Sequence, residues 1–464
     1  MIAGKLEDIK KVISAEAGQS VDPQAEFCGL SIDSRTIEPE NIFVAIDGEV
    51  HDGHRFIQQA SDKGAALIIV EQGNRNPIPA EVKAVALIVE DTKLALRQLA
   101  RWWKDKFDLK VIALTGTNGK TTSKEMIADA LAQKYSVFRT PGNFNNLYGI
   151  PLSLCQLNDS YRVAVMELGM SYPGEIETLT KLVQPDIALI TNIGPAHLET
   201  MGTIENITRA KFELLDNLRD DAVVILNLDD KILNQRYKTE NHQKFGFAVN
   251  AEADLKPTGF SSNSFGRMIF NYDDQEIHLA IPGLHNLSNA LAACAVAQQM
   301  NVPASNIKTA LENYQSSNSR MQIVTAGKVT IIDDSYNANP TSMRYALQVL
   351  AQVETPGRKL AILGDMKELG KDEISMHQEV GQIFAELNLD RLITAGKLGM
   401  QIATGANYAG FDPQKTRTFL QTEEILEFIE KDLLDGDCVL VKASRAMQFD
   451  TIVRKIRQHF GEAN

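Results

Sequence analysis

The sequence predicts an α/β protein of three domains, and two observations lead to this fold class. Short apolar runs typical of buried strands alternate with helical patterns along most of the 464 residues. Such alternation predicts mostly parallel sheets with helices on both faces. The pattern also falls into three successive blocks, which agrees with the roughly two to four domains that a chain of this length forms.

The first block, residues 1–108, is predicted to be a small α/β domain. It opens with a helical pattern, and apolar runs at 42–46 and 66–70 predict buried strands. A helical stretch at 93–103 closes the block.

The second and third blocks, residues 109–318 and 319–464, each predict a doubly wound sheet. The expected strands lie at 110–114, 163–166, 187–190 and 223–226, and then at 329–332, 360–363, 391–394 and 438–441. A more polar, β-like stretch at 244–281 and a helix at 286–299 complete the second block. Ligands of such sheets bind beyond the carboxyl ends of the strands, so polar residues there are candidates for the site.

Charge and composition narrow the possible partners. The formal net charge is −13, which disfavours binding to nucleic acid or to an anionic membrane surface. The four cysteines are far apart and form no Cys-x-x-Cys pair, as in a protein with reduced, buried thiols. No apolar run approaches the roughly 18 residues of a membrane span, and the N-terminus is charged. We therefore expect a monomeric cytoplasmic protein that binds small molecules.

A phosphate-binding loop is the strongest single motif. It follows the strand at 110–114 and precedes a helix at 123–133, which is the context in which backbone N–H groups enclose phosphates. Lys120 supplies a positive charge and Thr121 a hydroxyl for Mg²⁺. The strict pattern has glycine where this chain has Leu114. The residues expected to bind ATP are Gly116, Thr117, Asn118, Gly119, Lys120, Thr121 and Thr122.

Two further polar residues follow strands on the same sheet edge as the loop. Glu167 comes directly after the strand at 163–166, and His197 lies a few residues after the strand at 187–190. A carboxylate in this position can hold Mg²⁺ directly or through water. Histidine is a less usual ligand for this cation, so a structural role for His197 stays open at this point.

Lys211 lies in an unusual position on a predicted helix at 204–215. It shares an apolar stripe with residues such as Ile207 and Leu214. Loss of hydration lowers the pKa of a lysine, and a neutral amine can react with CO₂ to form an anionic carbamate. The alternative is a lysine whose stem packs on the stripe while its amine reaches water.

Taken together, several motifs resemble the Mur ligases of peptidoglycan synthesis over essentially the whole chain. The order and spacing of these motifs are more specific than any one of them, and the family has its own form of the phosphate loop, which accounts for Leu114. The motifs are DSRT at 33–36, TGTNGKTT at 115–122, GNFNN at 142–146, HNLSNA at 285–290, DDSYNANP at 333–340 and LGDMKELG at 363–370.

The resemblance implies a fold and a reaction. It implies an N-terminal domain for a uridine-nucleotide substrate, a central ATP-binding domain, and a C-terminal Rossmann-like domain for the incoming dipeptide. Within the family, the motifs at 333–340 and 363–370 favour the members that add D-alanyl-D-alanine to UDP-N-acetylmuramoyl-tripeptide. The implied reaction passes through an acyl phosphate and requires ATP and two Mg²⁺ ions.

The resemblance also implies roles for individual residues. Lys120, Lys211, His197 and Arg320 are the implied catalytic residues, and Arg320 would reach the γ-phosphate. Asn286 and Asn289 would form the adenine pocket, and Asp334 would order the ribose. Mg²⁺ would be held by Thr121, Glu167, His197 and a carbamate on Lys211. The expected substrate residues are Ser34, Arg35, Asn143, Asn146, Asn337, Lys442, Ser444 and Arg445, although the last three also suit a helix cap.

Two other functions stay open on the sequence alone. One is a related amide-forming ligase, either a diaminopimelate-adding member of the family or a folylpolyglutamate synthetase. The Asp-Asn-Pro-Arg tetrapeptide typical of the diaminopimelate-adding enzymes is missing here. The other is a switch protein that hydrolyses ATP without ligation, for which the third domain has no obvious use. The third residue of the tripeptide, diaminopimelate or lysine, is not indicated.

Overall fold

The computed structural model describes residues 1–17, 22–48, 50–316 and 319–461. Large, mostly parallel sheets lie in each of the three expected ranges, which confirms the α/β class. The domain limits stay predictions. Asn318 and Asn464, at which two of those ranges were expected to end, lie outside the described residues.

The N-terminal region builds a sheet of order β2-β7-β6-β5-β4 and a separate β1–β3 pair. A short 3₁₀ helix at Gly53–Phe56 precedes the second helix. The elements are β1 Ala3–Lys5, α1 Leu6–Val12, β2 Glu16–Ala17, β3 Glu26–Cys28, β4 Leu30–Ser31, β5 Ile42–Val44, α2 Ile57–Asp62, β6 Leu67–Glu71, β7 Val85–Val89 and α3 Thr92–Lys104.

The central region builds a six-stranded parallel sheet of order β13-β12-β11-β8-β10-β9. The loop strand β8 therefore lies in the interior, between β11 and β10. The elements are β8 Lys110–Thr115, α4 Lys120–Ala132, β9 Val137–Arg139, α5 Gly149–Leu154, β10 Val163–Glu167, α6 Glu175–Val183, β11 Ile187–Ile190, α7 Leu198–Met201, α8 Ile204–Asp216, β12 Val223–Asn227, α9 Lys231–Thr239 and β13 Gln243–Phe247.

The polar stretch at 244–281 adds a small antiparallel sheet of order β14-β15-β16. Its inner face packs on the long helix α10, whose residues from Leu287 to Ala297 are almost entirely buried. This packing explains why α10 is apolar on nearly every side. The elements are β14 Phe260–Ser262, β15 Arg267–Tyr272, β16 Gln275–Pro282, α10 Leu284–Gln299 and α11 Ala304–Glu312.

The C-terminal region builds a second six-stranded sheet, of order β17-β18-β22-β19-β20-β21. All neighbours are parallel except the β17–β18 hairpin. Short 3₁₀ helices lie at Gly370–Asp372, Pro413–Lys415 and Arg445–Met447. The elements are β17 Gln322–Ala326, β18 Val329–Asp333, α12 Pro340–Gln352, β19 Lys359–Gly364, α13 Glu373–Glu386, β20 Arg391–Ala395, α14 Gly399–Tyr408, β21 Thr416–Phe419, α15 Thr422–Asp432, β22 Cys438–Lys442 and α16 Asp450–Phe460.

The prediction of buried thiols is confirmed for three of the four cysteines. Cys155, Cys294 and Cys438 are buried free thiols as expected, but Cys28 is exposed, because it ends a short strand whose outer side faces solvent. Across the described ranges, no helix has both the length and the apolar composition needed to cross a membrane.

Candidate active site

A cleft of about 1190 Å³ lies where the three regions meet. The central region contributes most of its wall, through the phosphate loop and the carboxyl ends of β10, β11 and β12. The C-terminal region contributes the start of α12 and the loops after β18 and β19. The predicted residues that line the cleft are Thr117, Asn118, Gly119, Lys120, Thr121, Thr122, Asn143, Asn146, Glu167, His197, Lys211, Asn286, Asn289, Arg320, Asp334, Asn337 and Lys442.

The two glycines of the phosphate loop are required by close contacts and by backbone conformation. A Cβ on Gly116 would lie 1.9 Å from Thr191 Oγ1, and one on Gly119 would lie 2.3 Å from Asn289 Oδ1. Both residues have positive φ, 152° and 80° respectively. Leu114 is fully buried in β8 and pairs with Glu167 and Leu189 on the neighbouring strands, so the turn starts only after Thr115. Leu114 thus belongs to the strand and not to the loop.

The end of β11 holds the loop from one side. Asn192 Oδ1 accepts a hydrogen bond from Asn118 N at 2.9 Å, and Asn192 Nδ2 donates to Asn118 O at 2.9 Å. Thr117 Oγ1 donates to Gly194 O at 3.1 Å. Thr191 Oγ1 donates to Asn118 O at 2.7 Å. These contacts fix the backbone of the loop before any phosphate binds.

Lys120 and Lys211 meet at the same loop carbonyl. Lys120 Nζ donates to Gly116 O at 2.9 Å, and Lys211 Nζ donates to the same oxygen at 2.8 Å. Burial lowers the pKa of Lys120 below its usual value. Burial, and after it the charge of Lys120, lowers the pKa of Lys211 well below its usual value. Lys211 is 3% exposed, so its amine does not reach water as the alternative interpretation required.

Glu167 is buried with one oxygen unused. Its Oε1 accepts a hydrogen bond from Asn145 Nδ2 at 2.8 Å. Within the described residues, its Oε2 has no hydrogen-bond partner, although the residue is only 2% exposed. A buried carboxylate oxygen without a donor is costly unless a cation binds it. The geometry therefore suits a Mg²⁺ ligand.

Lys124 supports this carboxylate from beneath the cleft. Its side chain is fully buried, and Nζ donates to Thr140 O at 2.9 Å and Gly142 O at 3.0 Å. Nζ also lies 3.0 Å from Glu125 Oε1 and 3.8 Å from Glu167 Oε2. The lysine thus anchors the start of the GNFNN loop, from which Asn145 reaches Glu167.

His197 projects from the loop before α7 toward the C-terminal region. Its Nδ1 lies 2.5 Å from Glu368 Oε2, and this contact is the main reason why the pKa of the Glu368 carboxyl is lowered. A cluster of three or more histidine, cysteine, aspartate or glutamate side chains able to hold a metal is not found among residues 1–17, 22–48, 50–316 and 319–461. Mg²⁺ commonly takes one or two protein carboxylates and completes its shell with substrate phosphates and water. The donors present, Glu167, His197 and Thr121, fit that mode.

Asn286 and Asn289 are engaged within the protein. Asn286 Nδ2 donates to Pro282 O at 2.6 Å, and Asn289 Nδ2 donates to Asn286 Oδ1 at 2.9 Å. Asn289 Oδ1 accepts from Ser123 Oγ at 3.2 Å, which joins α10 to the helix of the phosphate loop. Both residues line the cleft, so an adenine would meet the edges of amides already held in place. Their expected role as adenine contacts stays a prediction.

Arg320 and Asp334 come from the hairpin end of the C-terminal sheet. The guanidinium carbon of Arg320 lies 3.9 Å from the centre of the Tyr336 ring, which holds the arginine at the cleft by cation–π stacking. Asp334 Oδ2 pairs with Lys442 Nζ at 2.5 Å, and Asp334 Oδ1 accepts from Met321 N at 3.1 Å. Asp334 is thus held by the protein on both oxygens.

The substrate residues expected in the N-terminal region do not line the cleft. Ser34 is buried and its Oγ donates to Gln59 Oε1 at 2.8 Å. The Arg35 side chain is 80% exposed and is paired with Asp33 at 2.7 Å. From the N-terminal region, Gly48 and Val50 line the cleft instead. Gly48 belongs to an Asp-Gly motif at 47–48 that is also similar to the family, whereas no motif includes Val50.

The remaining substrate residues differ in position. Asn143 and Asn146 are exposed on the cleft wall, and Asn146 Oδ1 accepts from Gly149 N at 2.8 Å. Lys442 Nζ donates to Asn337 O at 2.8 Å. Ser444 and Arg445 do not line the cleft. Ser444 Oγ accepts from Lys367 N at 2.8 Å and makes no cap bond to the 3₁₀ helix after it, so the capping interpretation is not supported for its side chain.

Several residues at the site escaped the sequence prediction. Asn339 Nδ2 donates to Asn118 Oδ1 at 2.7 Å across the two regions, and Asn339 also caps α12. His285 stacks on Tyr345 with ring centres 5.0 Å apart and an angle of 8°. Asn339 lies within a quoted motif and precedes a proline, so its cap position had a recognisable signal. The histidine–tyrosine stack had none, because its two partners lie far apart in the sequence.

Comparisons with known proteins agree with this architecture. Family models match three successive parts of the chain: the Mur ligase family, catalytic domain, at residues 26–104, the Mur ligase middle domain at 114–297, and the Mur ligase, glutamate ligase domain, at 319–445. The UDP-N-acetylmuramoyl-tripeptide–D-alanyl-D-alanine ligase of Bacillus subtilis is 34% identical over 97% of this chain and 98% of its own length. The enzyme of the same name from Escherichia coli is 33% identical over 99% of each chain.

Solved structures give the same result. A crystal structure of MurF from Acinetobacter baumannii matches with a TM-score of 0.89 and 32% identity over 99% of both chains. MurF ligase from Thermotoga maritima in complex with ADP matches with a TM-score of 0.81 and 28% identity, over 93% of this chain and 98% of that one. Sequence and structure thus agree over nearly the full length, and the chain belongs to the Mur ligase family.

Proposed function

We propose that this protein is an ATP-dependent ligase that joins D-alanyl-D-alanine to UDP-N-acetylmuramoyl-tripeptide. The observation that carries the proposal is that one cleft brings the phosphate loop together with residues of the C-terminal region and with Gly48 and Val50 of the N-terminal region. A ligase that forms an acyl phosphate must bring three reactants together away from water. Relatives that carry the name of this activity align over nearly the whole chain.

The reaction requires activation of a carboxylate, which is a poor electrophile. The terminal carboxylate of the tripeptide attacks the γ-phosphorus of ATP, and ADP leaves. The amine of the dipeptide then attacks the acyl carbon, loses a proton, and displaces inorganic phosphate. Lys120, Arg320 and the loop amides would neutralise and orient the phosphates, since phosphoryl transfer depends mainly on positioning and charge.

The metal part of the proposal involves four residues. Thr121, Glu167, His197 and a carbamate on Lys211 would hold two Mg²⁺ ions. When bound, the ions would offset the charges of the β- and γ-phosphates and the carboxylate. The unused Glu167 Oε2 at the cleft wall supports this assignment.

The carbamate on Lys211 is supported by the environment of its amine. Burial lowers the pKa of Lys211, which favours the neutral amine that CO₂ requires. The neutral nitrogen would form a bond to the carbon of CO₂ and release one proton, which converts a neutral amine into an anion. The resulting negative group would face Lys120, whose contact with Gly116 O places both lysines on one carbonyl.

Binding of the two other substrates is assigned to the outer regions. Residues 1–108, with Ser34 and Arg35, would hold the uridine nucleotide, and residues 319–464 the dipeptide. Asn143 and Asn146 would face the tripeptide. The dipeptide would meet a set of C-terminal residues: Asn337, Lys442, Ser444 and Arg445. Because the UDP-linked precursor and ATP are cytoplasmic metabolites, we propose that the protein acts in the cytoplasm. We also propose that it is a monomer, as expected from the sequence.

A coupled ADP-release assay tests the function. The purified protein is supplied with ATP, Mg²⁺, a UDP-peptide and a dipeptide, and each is omitted in turn. We expect ADP release only when D-alanyl-D-alanine and the UDP-tripeptide are both present. Turnover with a free amino acid and the UDP-dipeptide would instead support an earlier-acting ligase. Hydrolysis of ATP without either acceptor would support the switch interpretation.

A further inference from the structure

His197 and Glu368 form a contact between two regions in which both residues are conformationally constrained. His197 Nδ1 lies 2.5 Å from Glu368 Oε2. The φ angle is 53° at His197 and 65° at Glu368, so both non-glycine residues lie in the left-handed region. Such conformations persist where surrounding contacts hold them, and they concentrate at functional sites. The pair is thus a specifically built contact.

The backbone around the pair reinforces it. Glu199 N donates to Glu368 O at 3.2 Å, so the two loops are joined by main chain as well as by side chains. Gly370 has a φ of 66°, and a Cβ there would lie 3.4 Å from Leu198 O. Both loops line the cleft near the phosphate loop. These contacts fix the position of the two loops relative to each other.

The contact leaves one histidine nitrogen available. In the described part of the chain, His197 Nε2 has no hydrogen-bond partner, whereas Nδ1 faces the carboxylate. A carboxylate that accepts from Nδ1–H keeps the proton on that nitrogen and leaves the lone pair of Nε2 free. Histidines that bind metals commonly donate their other N–H to such a carboxylate, which also fixes the ring orientation.

We propose that Glu368 is a positioning residue that orients His197 for Mg²⁺ and so makes this ligand depend on the placement of the C-terminal domain. The inference rests on the metal site of the proposed function. Glu368 belongs to the C-terminal sheet, through the loop after β19, while His197 belongs to the central one. Separation of the two domains removes the carboxylate, and His197 then loses its fixed tautomer and orientation. Metal binding and domain closure are thereby coupled.

The first test measures the histidine without metal. Protein labelled with ¹⁵N at its eight histidines is compared by NMR as wild type, Glu368→Ala and His197→Ala, the last to assign the signal. We expect the Nδ1–H tautomer at His197 in the wild type and a tautomer mixture in Glu368→Ala. An unchanged His197 signal in Glu368→Ala overturns the proposal.

The second test measures Mg²⁺ binding by calorimetry to protein saturated with a non-hydrolysable ATP analogue. Glu368→Ala is expected to weaken Mg²⁺ binding about tenfold, as is typical for partners of metal-binding histidines. In the His197→Ala background, the same substitution should cause no further loss, because Glu368 acts through His197. Equal losses in both backgrounds would show an independent structural role and contradict the proposal.

A matched control variant is Glu276→Ala. It removes the carboxylate of another histidine–glutamate pair, His278 Nε2 to Glu276 Oε1 at 3.0 Å, which is exposed and away from the cleft. Its Mg²⁺ binding should equal that of the wild type. The two proposals fail separately: ADP release without D-alanyl-D-alanine would reject the proposed ligation, while the tautomer and the binding cycle still decide the role of Glu368.

Discussion

The two six-stranded sheets have similar architectures but differ in how charged residues are paired at the edges that face the cleft. At the central sheet, Glu167 keeps an oxygen without a donor, and Lys120 and Lys211 rest on a single carbonyl. At the C-terminal sheet, Lys442 is paired with Asp334. The central edge thus keeps a carboxylate oxygen without a hydrogen-bond donor, whereas the charged groups at the C-terminal edge satisfy one another.

Asp365, directly after β19, is a second carboxylate at the C-terminal edge whose two oxygens both have donors within the protein. Its Oδ1 accepts from Leu398 N at 3.0 Å and Gly399 N at 2.8 Å, and its Oδ2 accepts from Lys367 Nζ at 2.8 Å. The central edge is therefore suited to receive further charge, whereas the charged groups of the C-terminal edge are held by contacts within the protein. This difference also separates the expected effects of mutations on stability: substitution of a paired residue at the C-terminal edge should lower it, whereas substitution of Lys211 or Glu167 at the central edge should mainly lower turnover.

Substitution of Lys211 should have the largest effect on turnover. Lys211→Ala and Lys211→Arg should both lower kcat by about 1000-fold, because neither side chain can carry a carbamate and so supply the missing negative charge. ADP release measures the loss, with circular dichroism as the check on folding. Normal turnover by Lys211→Arg would reject the carbamate and would weaken the contrast between the two edges.

Lys442→Met should have the largest effect on stability. It leaves the half-buried Asp334 carboxylate without its cation, and loss of one partner of a buried pair costs about 3 kcal/mol or more. Urea unfolding followed by circular dichroism measures the change. Lys328→Met, which removes an exposed ion pair with Asp435, is the control and should change the free energy of unfolding by less than about 1 kcal/mol.

Glu167→Gln should give the opposite result. It removes a buried charge whose Oε2 accepts no hydrogen bond, and the ion-pair partner Lys124 keeps its closer contact with Glu125. We therefore expect the free energy of unfolding to stay within about 1 kcal/mol of the wild type. Turnover should still fall about 100-fold, because the proposed metal ligand is lost. A large loss of stability would show that Glu167 is compensated as fully as Asp365, and the contrast would fail.

The smallest expected effect concerns pH and the His285–Tyr345 stack between the two regions. Burial lowers the pKa of His285 from 6.5 to about 4. As the pH falls from 6.5 toward 4, His285 becomes protonated in the unfolded chain but stays neutral in the folded chain. The folded state therefore loses stability in that pH window. His285→Gln should reduce the loss of unfolding free energy between pH 7 and pH 5 by up to about 2 kcal/mol. Equal losses of unfolding free energy between pH 7 and pH 5 in the wild type and in His285→Gln would contradict this prediction.

Much of the site was predictable because its chemistry is local. The glycine spacing and the flanking strand and helix predict the phosphate loop, and the helical stripe around Lys211 predicts its burial. The positions of Glu167 and His197 followed from strand ends on one sheet edge. In each case a short sequence window contains the relevant geometry.

Contacts between distant segments were not predictable in this way. The Lys124 amine joins carbonyls at Thr140 and Gly142, but a lysine four residues after Lys120 has the same sequence signature whether it is buried or exposed. Ser34 and Arg35 match the family motif, yet their side chains point to Gln59 and Asp33. Motif identity does not set the direction of a side chain.

Sequence patterns were enough to predict the α/β class, the phosphate loop and the apolar stripe that buries Lys211, because periodicity and glycine geometry act within a few residues. Which charged and polar groups pair with one another, by contrast, depends on the tertiary structure. Asn339 reaches Asn118 across 221 positions and Lys442 reaches Asp334 across 108. Pairing depends on which surfaces the folded sheets bring together, and that is a property of packing rather than of any local pattern.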